Sequence, residues 1–141
     1  MQRLVFDQDF TLPVERVFDY LAEHENLGVL FAPISVARLN DGTDSRNGAG
    51  SARTLTLAGQ LPFVETVTES IPNERIVYKI TKGSPLKNHQ GVMEFASLPN
   101  GGSRLHYVIE FGSKLPGVDV VVAHGIKRSV TKGLKLVDSK A

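Results

Sequence analysis

No cysteine occurs among the 141 residues. Its absence removes disulfides, thiolate nucleophiles and thiolate metal sites together, and leaves the redox compartment undetermined. Neither sign of charge prevails: sixteen basic against fifteen acidic residues leave a formal +1, so the totals carry no footprint for nucleic acid or an anionic membrane. A long apolar run is missing at the start, where Met1-Gln2-Arg3-Leu4-Val5-Phe6-Asp7 meets an acid before any such run begins. That argues against a signal peptide or a membrane span, and sets the expectation of a cytoplasmic protein with no membrane insertion.

Chemistry-bearing patterns are sparse as well. No two histidines stand at i, i+3 or i, i+4, and no carboxylate–histidine cluster has ligand spacing. A metal set would need unrelated segments to converge, so neither metal nor cofactor is expected. The serines are scattered without a nucleophile elbow. Gly48-Ala49-Gly50 precedes a strand pattern rather than a helix whose N-terminus could hold phosphate, and reads as a turn. No repeat, low-complexity tract or linker divides the chain, which is long enough for one substantial core; one domain, residues 1–141, is expected.

What is present begins with the last segment, roughly Leu115 to Lys140. Val118, Val122, Ile126, Val130, Leu134 and Val137 recur every three or four residues, which lays one apolar stripe along a long helix. Pro116 and Asp119 suit its N-terminus, and Lys132, Lys135 and Lys140 its C-terminal end. Beside that stripe runs another of Gly125, Ser129 and Gly133. Glycine costs about 1 kcal/mol against alanine in a helix interior, so the second stripe marks either a close backbone contact or a cavity left open.

Upstream, residues 3–10 alternate as a strand with one buried face, and Val14, Val17, Phe18 and Leu21 have the spacing of a short helix. A second helical or turn-like piece runs from Glu25 to Phe31, broken by Gly28. Strands follow at about 34–40, 50–58, 62–71, 74–82, 88–98 and 103–113, separated by Asp41-Gly42, Ala58-Gly59, Pro72-Asn73 and Pro99-Asn100-Gly101-Gly102. Short sequential hairpins imply an antiparallel sheet, and the terminal helix is the segment able to cover it. The expected class is α+β, with seven strands curved around a long C-terminal helix and two short helices between strands 1 and 2.

Parity places Leu55, Leu57, Val67, Ile76, Tyr78, Ile80, Met93, Phe95, Leu105, Tyr107, Ile109 and Phe111 on the sheet's inner face. Arg53, Glu65 and His89 share that parity. A buried charge is expensive unless paired or solvated, so these three imply a partner or a water-filled pocket. Arg53 and Glu65 flank one hairpin, within reach of a direct or diagonal cross-strand pair. His106 has outward parity beside Glu94, where a solvated pair is the natural account; His24 falls at the helix junction and His124 on the flank of the last helix.

The segments Gly48-Ala49-Gly50-Ser51-Ala52-Arg53-Thr54-Leu55-Thr56-Leu57, Glu65 and Arg75-Ile76-Val77-Tyr78-Lys79-Ile80, within the whole-chain order of elements, resemble the START-like (SRPBCC) superfamily with the helix-grip fold, in its polyketide cyclase/dehydrase branch. Gln60-Leu61-Pro62-Phe63 and Gly83-Ser84-Pro85-Leu86-Lys87-Asn88-His89 are also similar to the two pocket-closing loops of the abscisic-acid receptors. Ser84-Pro85-Leu86 keeps only the leucine of those receptors' histidine-arginine-leucine signature, so hormone sensing is not implied, and their pocket lysine has no secure counterpart here. The resemblance implies a deep cavity between sheet and terminal helix for a hydrophobic or amphipathic small molecule. It does not by itself imply catalysis.

Three readings follow. In the first, favoured here, the protein binds a lipid- or polyketide-like ligand through Arg53, Glu65, Tyr78, His89, Met93, Tyr107, Phe31, Phe63, Gly125 and Ser129, with Pro33, Leu61 and Pro62 near the entrance. In the second it is a polyketide cyclase or dehydratase with Glu65 and His89 as acid/base groups beside Arg53. In the third it is a module that forms a homodimer through its loops and holds no small molecule. Each polar candidate also has a plain account: an ion pair for Arg53 and Glu65, a solvent-facing loop histidine for His89, and core tyrosines for Tyr78 and Tyr107.

Overall fold

The computed structural model describes residues 1–58 and 61–141. Seven strands, β1 (Gln2–Phe10), β2 (Ser35–Asn40), β3 (Ala52–Thr56), β4 (Phe63–Ile71), β5 (Arg75–Lys82), β6 (Leu86–Ser97) and β7 (Ser103–Ser113), form one antiparallel sheet in the order β1-β7-β6-β5-β4-β3-β2. Every consecutive pair from β2 to β7 is a neighbour, as short hairpins require, and β1 closes the series against β7. The expected turn at Ala58-Gly59 extends outside the described residues.

Between β1 and β2 lie α1 (Val14–Ala22), a single 3-10 turn (His24–Asn26) and α2 (Gly28–Phe31). Val14, Val17, Phe18 and Leu21 are all buried, so the apolar spacing of α1 is its core face. Gly28 opens α2 rather than interrupting one longer piece; the break falls at Leu27, which is itself buried.

The terminal helix departs from expectation at both ends. α3 spans Val118–Leu134, with Gly117 at φ 80° just before it, and Pro116 lies outside. It does not run on to Lys140. The Leu136 N–H bonds back three residues to the Gly133 carbonyl at 3.0 Å, which tightens and ends the helix. A separate turn of helix, α4 (Val137–Lys140), follows. Asp138 on α4 accepts the Thr11 N–H at 3.0 Å and the Leu12 N–H at 3.3 Å, which clips the chain end to the exit of β1. Among the described residues no helix is long and apolar enough to cross a membrane.

The core lies between the concave side of the sheet and α1, α2 and α3. Leu55, Val67, Ile76, Tyr78, Met93, Phe95, Leu105, Tyr107, Ile109 and Phe111 all point into it, as the alternation requires. Outward-facing His106 lies opposite Glu94 in the β6–β7 register, but its Nδ1 contacts Asp7 Oδ1 on β1 at 2.7 Å, and Glu94 pairs with Arg75 instead. β7 is flanked by strands on both sides, so each outward residue has two neighbours to choose from.

Candidate functional site

Arg53 on β3 and Glu65 on β4 are direct partners in the antiparallel register, which holds their side chains side by side on one face of the sheet. Arg53 Nε donates to Glu65 Oε1 at 2.8 Å, and both side chains are buried. The guanidinium stacks over the Tyr78 ring, 4.7 Å from its centroid, a cation–π contact strengthened by the burial of both side chains. Among the described residues Arg53 Nη2 has no hydrogen-bond partner.

His24 completes the polar cluster from the other side. It is fully buried on the 3-10 turn, with Nε2 2.9 Å from Ser51 Oγ and Nδ1 3.3 Å from Arg53 Nη1. Ser51 gives its own hydrogen to the Gly48 carbonyl at 2.6 Å, so it accepts from Nε2. Arg53 can only donate, so Nδ1 accepts. The imidazole is therefore locked neutral with its proton on Nε2. Burial, then the Arg53 charge beside it, holds its pKa down at about 4. The sequence pattern marks this residue only as part of a helix junction, because no periodicity relates an isolated 3-10 turn to a sheet face.

His89 is presented by an irregularity in β6. The β5–β6 ladder ends at Tyr78 opposite Gly91, and the β6–β7 register shifts between Lys87 and Gln90, where Asn88 has φ 54°. The Ile80 N–H donates to His89 Nδ1 at 3.0 Å. Nδ1 is thereby committed as an acceptor and the proton sits on Nε2, which faces Glu65 Oε2 at 3.8 Å. Burial lowers this pKa too; Glu65 opposes that effect and Arg53 adds to it.

The Tyr78 and Tyr107 hydroxyls bond each other. Burial raises both pKa values, keeping the pair uncharged. A side chain at Gly91 would overlap the Tyr78 ring, so glycine here is what lets that ring lie across β6.

Of these groups Glu65, Tyr78 and His89 close the inner end of a cavity of about 420 Å³ between the sheet and α3, within the size range of small-molecule pockets. Its lining includes the buried Phe31, Leu55, Glu65, Tyr78, His89 and Ile109, then Ile34, Phe63, Ile80, Leu86, Val118, Val122 and Ile126, and at the open end Leu57, Leu61, Gly83, Pro85 and Val121. The apolar stripe of α3 thus divides: Val118, Val122 and Ile126 face the cavity, whereas Val130 and Leu134 are closed into the core. Of the expected contact residues, Glu65, Tyr78, His89, Phe31 and Phe63 line this space.

The other five are placed differently. Arg53 lies behind Glu65, Tyr107 behind Tyr78, and Met93 in the solid core. Gly125 and Ser129 do not face the cavity at all, a correction to the reading of the small-residue stripe. Ser129 Oγ lies 2.7 Å from the Leu30 carbonyl and 2.8 Å from that of Ala32, and a side chain at Gly133 would overlap the Val29 carbonyl. The stripe is where α3 meets α2; Gly125, at its open end, lines a surface groove with Tyr20, Gly28 and Arg128. Among the described residues no group of three or more His, Asp or Glu side chains is placed to hold a metal ion.

A family model described as polyketide cyclase / dehydrase and lipid transport matches residues 1–141. The Zhui aromatase/cyclase from a Streptomyces species superposes with a TM-score of 0.77 at 16% identity, covering 99% of this chain and 92% of that one. A START superfamily protein from Mycobacterium smegmatis gives 0.76 at 14% identity, covering 98% and 95%. A protein from Thermus thermophilus gives 0.76 at 16%, with coverage of 98% and 95%. At these identities the likeness is one of fold. No curated protein sequence matches the chain. The seven-stranded sheet closed by a C-terminal helix is the START-like helix-grip architecture, and the chain belongs to the polyketide cyclase / dehydrase and lipid transport family.

Proposed function

We propose that this protein binds a small, largely apolar molecule that carries a polar group at one end. The observation that supports the reading is the gradient along the cavity: aliphatic and aromatic walls leading inward to Glu65, His89 and Tyr78. His89 Nε2–H offers a donor and Glu65 Oε2 an acceptor, 3.8 Å apart, a spacing suited to a ligand hydroxyl or carbonyl that meets both. Burying the ligand's apolar body contributes about 25 cal/mol per Å² removed from water, and the polar pair sets its orientation.

The apposition of Glu65 and His89 also favours a second reading, cyclase or dehydratase chemistry in the same cavity. In that case the two residues divide the work unevenly. Ile80 occupies His89 Nδ1, so the ring cannot take up a second proton there, and release of the Nε2 proton would leave an imidazolate. His89 then serves as a hydrogen-bond donor to a substrate oxygen, and Glu65 is the base.

Thermal-shift titration with fatty acids, sterols and polycyclic phenols tests the binding reading, with Val122→Trp as the filled-cavity control. A ligand should raise the melting temperature of the native chain and leave the variant unmoved. Equal stabilisation of both would place the ligand elsewhere. Turnover of any compound that survives Glu65→Gln removes the second reading.

A further inference from the structure

The near-zero total charge conceals an uneven distribution. Five basic and two acidic residues fall within residues 118–140, a local +3, while the other residues carry −2. Both of those acids are engaged away from the outer side of α3: Asp119 by Gln2 and the N-terminal amine, Asp138 by the backbone of Thr11 and Leu12. Elsewhere Glu23, Glu25 and Asp41 hold Arg38 and Arg46, and Asp9 holds Arg104. Among the described residues, Lys127, Arg128, Lys132 and Lys135 pair with no acid and are all exposed.

Val121, Arg128, Lys132 and Lys135 follow one another at intervals of seven, four and three, which keeps them on one side of the helix. Val121 is also at the cavity mouth, where it is 74% exposed beside Leu61 at 85%. Val120 and Leu115 add two more aliphatic side chains that are more than half exposed. An apolar rim at the mouth therefore continues directly into a row of unpaired cations.

We propose that this face docks on an anionic phospholipid bilayer, with Leu61 and Val121 entering the headgroup layer and Arg128, Lys132 and Lys135 meeting the lipid phosphates. The mouth of the cavity then opens onto the membrane. A nucleic-acid backbone would satisfy the cations and leave the apolar rim in water. A two-fold pairing of copies through this face would bring two basic rows together. The bilayer satisfies both halves of the face, whatever molecule the cavity holds.

Co-sedimentation of the whole chain with phosphatidylcholine vesicles, with and without phosphatidylserine, tests the proposal. Binding should require phosphatidylserine and weaken as salt is raised. Each cation near an anionic surface is worth roughly fivefold in partitioning, so Arg128→Glu/Lys132→Glu/Lys135→Glu should lower it by at least about a hundredfold. Leu61→Asp/Val121→Asp should abolish it with the basic row intact. Circular dichroism melting should show both variants folded, since every substituted side chain is exposed. Equal binding to neutral and anionic vesicles overturns the proposal, as does retention by the triple variant. A dimer that Val121→Asp dissociates, found without vesicle binding, overturns it in favour of a second copy.

Discussion

Arg53 and Glu65 face each other across the β3–β4 register with Nε and Oε1 2.8 Å apart and side chains only 3% and 5% exposed. An ion pair this deep is held in place by mutual compensation: the strand register sets the geometry, and each charge makes the other's burial tolerable. Removing one partner leaves an uncompensated charge. Glu65→Leu should therefore cost about 3–5 kcal/mol in urea denaturation, and Arg53→Met added to it should recover more than half of that loss. A single-variant cost below about 1 kcal/mol would mean that the pair is solvated.

His24 makes stability depend on pH in a defined window. Its folded pKa of about 4 lies below the ordinary 6.5, so between these values the unfolded chain binds more protons than the folded one. Stability then rises with pH: it is fully present above about 6.5 and falls as the pH drops toward 4. From pH 7 to 5 the loss from this group is about 2 kcal/mol. His89 acts in the same direction. His24→Gln should flatten the dependence seen in denaturation at the two pH values; an unchanged slope would assign it to other groups.

The two helix glycines should respond oppositely to the same change. Among the described residues nothing lies within 4 Å of where a side chain at Gly125 would begin, so Gly125→Ala should stabilise by up to about 1 kcal/mol through helix propensity alone. At Gly133 the Val29 carbonyl occupies that space, and Gly133→Ala should destabilise by about 1–3 kcal/mol as α3 is pushed off α2. Thermal melts of the two variants should move in opposite directions. Gly125→Leu should leave ligand binding in the sheet–helix cavity intact, because the residue faces away from it.

The tyrosine pair should behave as a unit. Tyr78→Phe leaves the buried Tyr107 hydroxyl without its partner and should cost about 1–3 kcal/mol. Phenylalanine at both positions should cost less than the two single changes added together. Gly91→Ala should be worse than either, since the new methyl displaces the Tyr78 ring itself. Additive losses in a double-mutant cycle would show that the hydroxyls are not coupled.

Much of this architecture is legible in the residue pattern. Alternation at 53–57, 76–80 and 105–111 reports which side chains face the core, because a strand's period is two and the hairpins are too short to let the register slip. The same parity brought Arg53, Glu65 and His89 to one face. What it could not separate is depth: Glu65 and His89 line the cavity, while Arg53, Tyr107 and Met93 share their face and stand behind it. Curvature decides that, and curvature comes from bulges such as those between Lys87 and Gln90 and between Val67 and Glu69.

The terminal helix divides along the same line. Its apolar period determined, from the sequence alone, that a long helix would lie on an antiparallel sheet with Val118, Val122 and Ile126 turned inward. Only the tertiary structure decided what the glycine stripe was for, since both a close backbone contact and an open cavity call for small side chains at that spacing. Gly133 and Ser129 are seated on α2, a segment about a hundred residues earlier whose position no local period encodes. His24 belongs to the same category: a turn that no periodicity marks becomes the far wall of the polar cluster, because long-range packing of that turn against β2 carries it there.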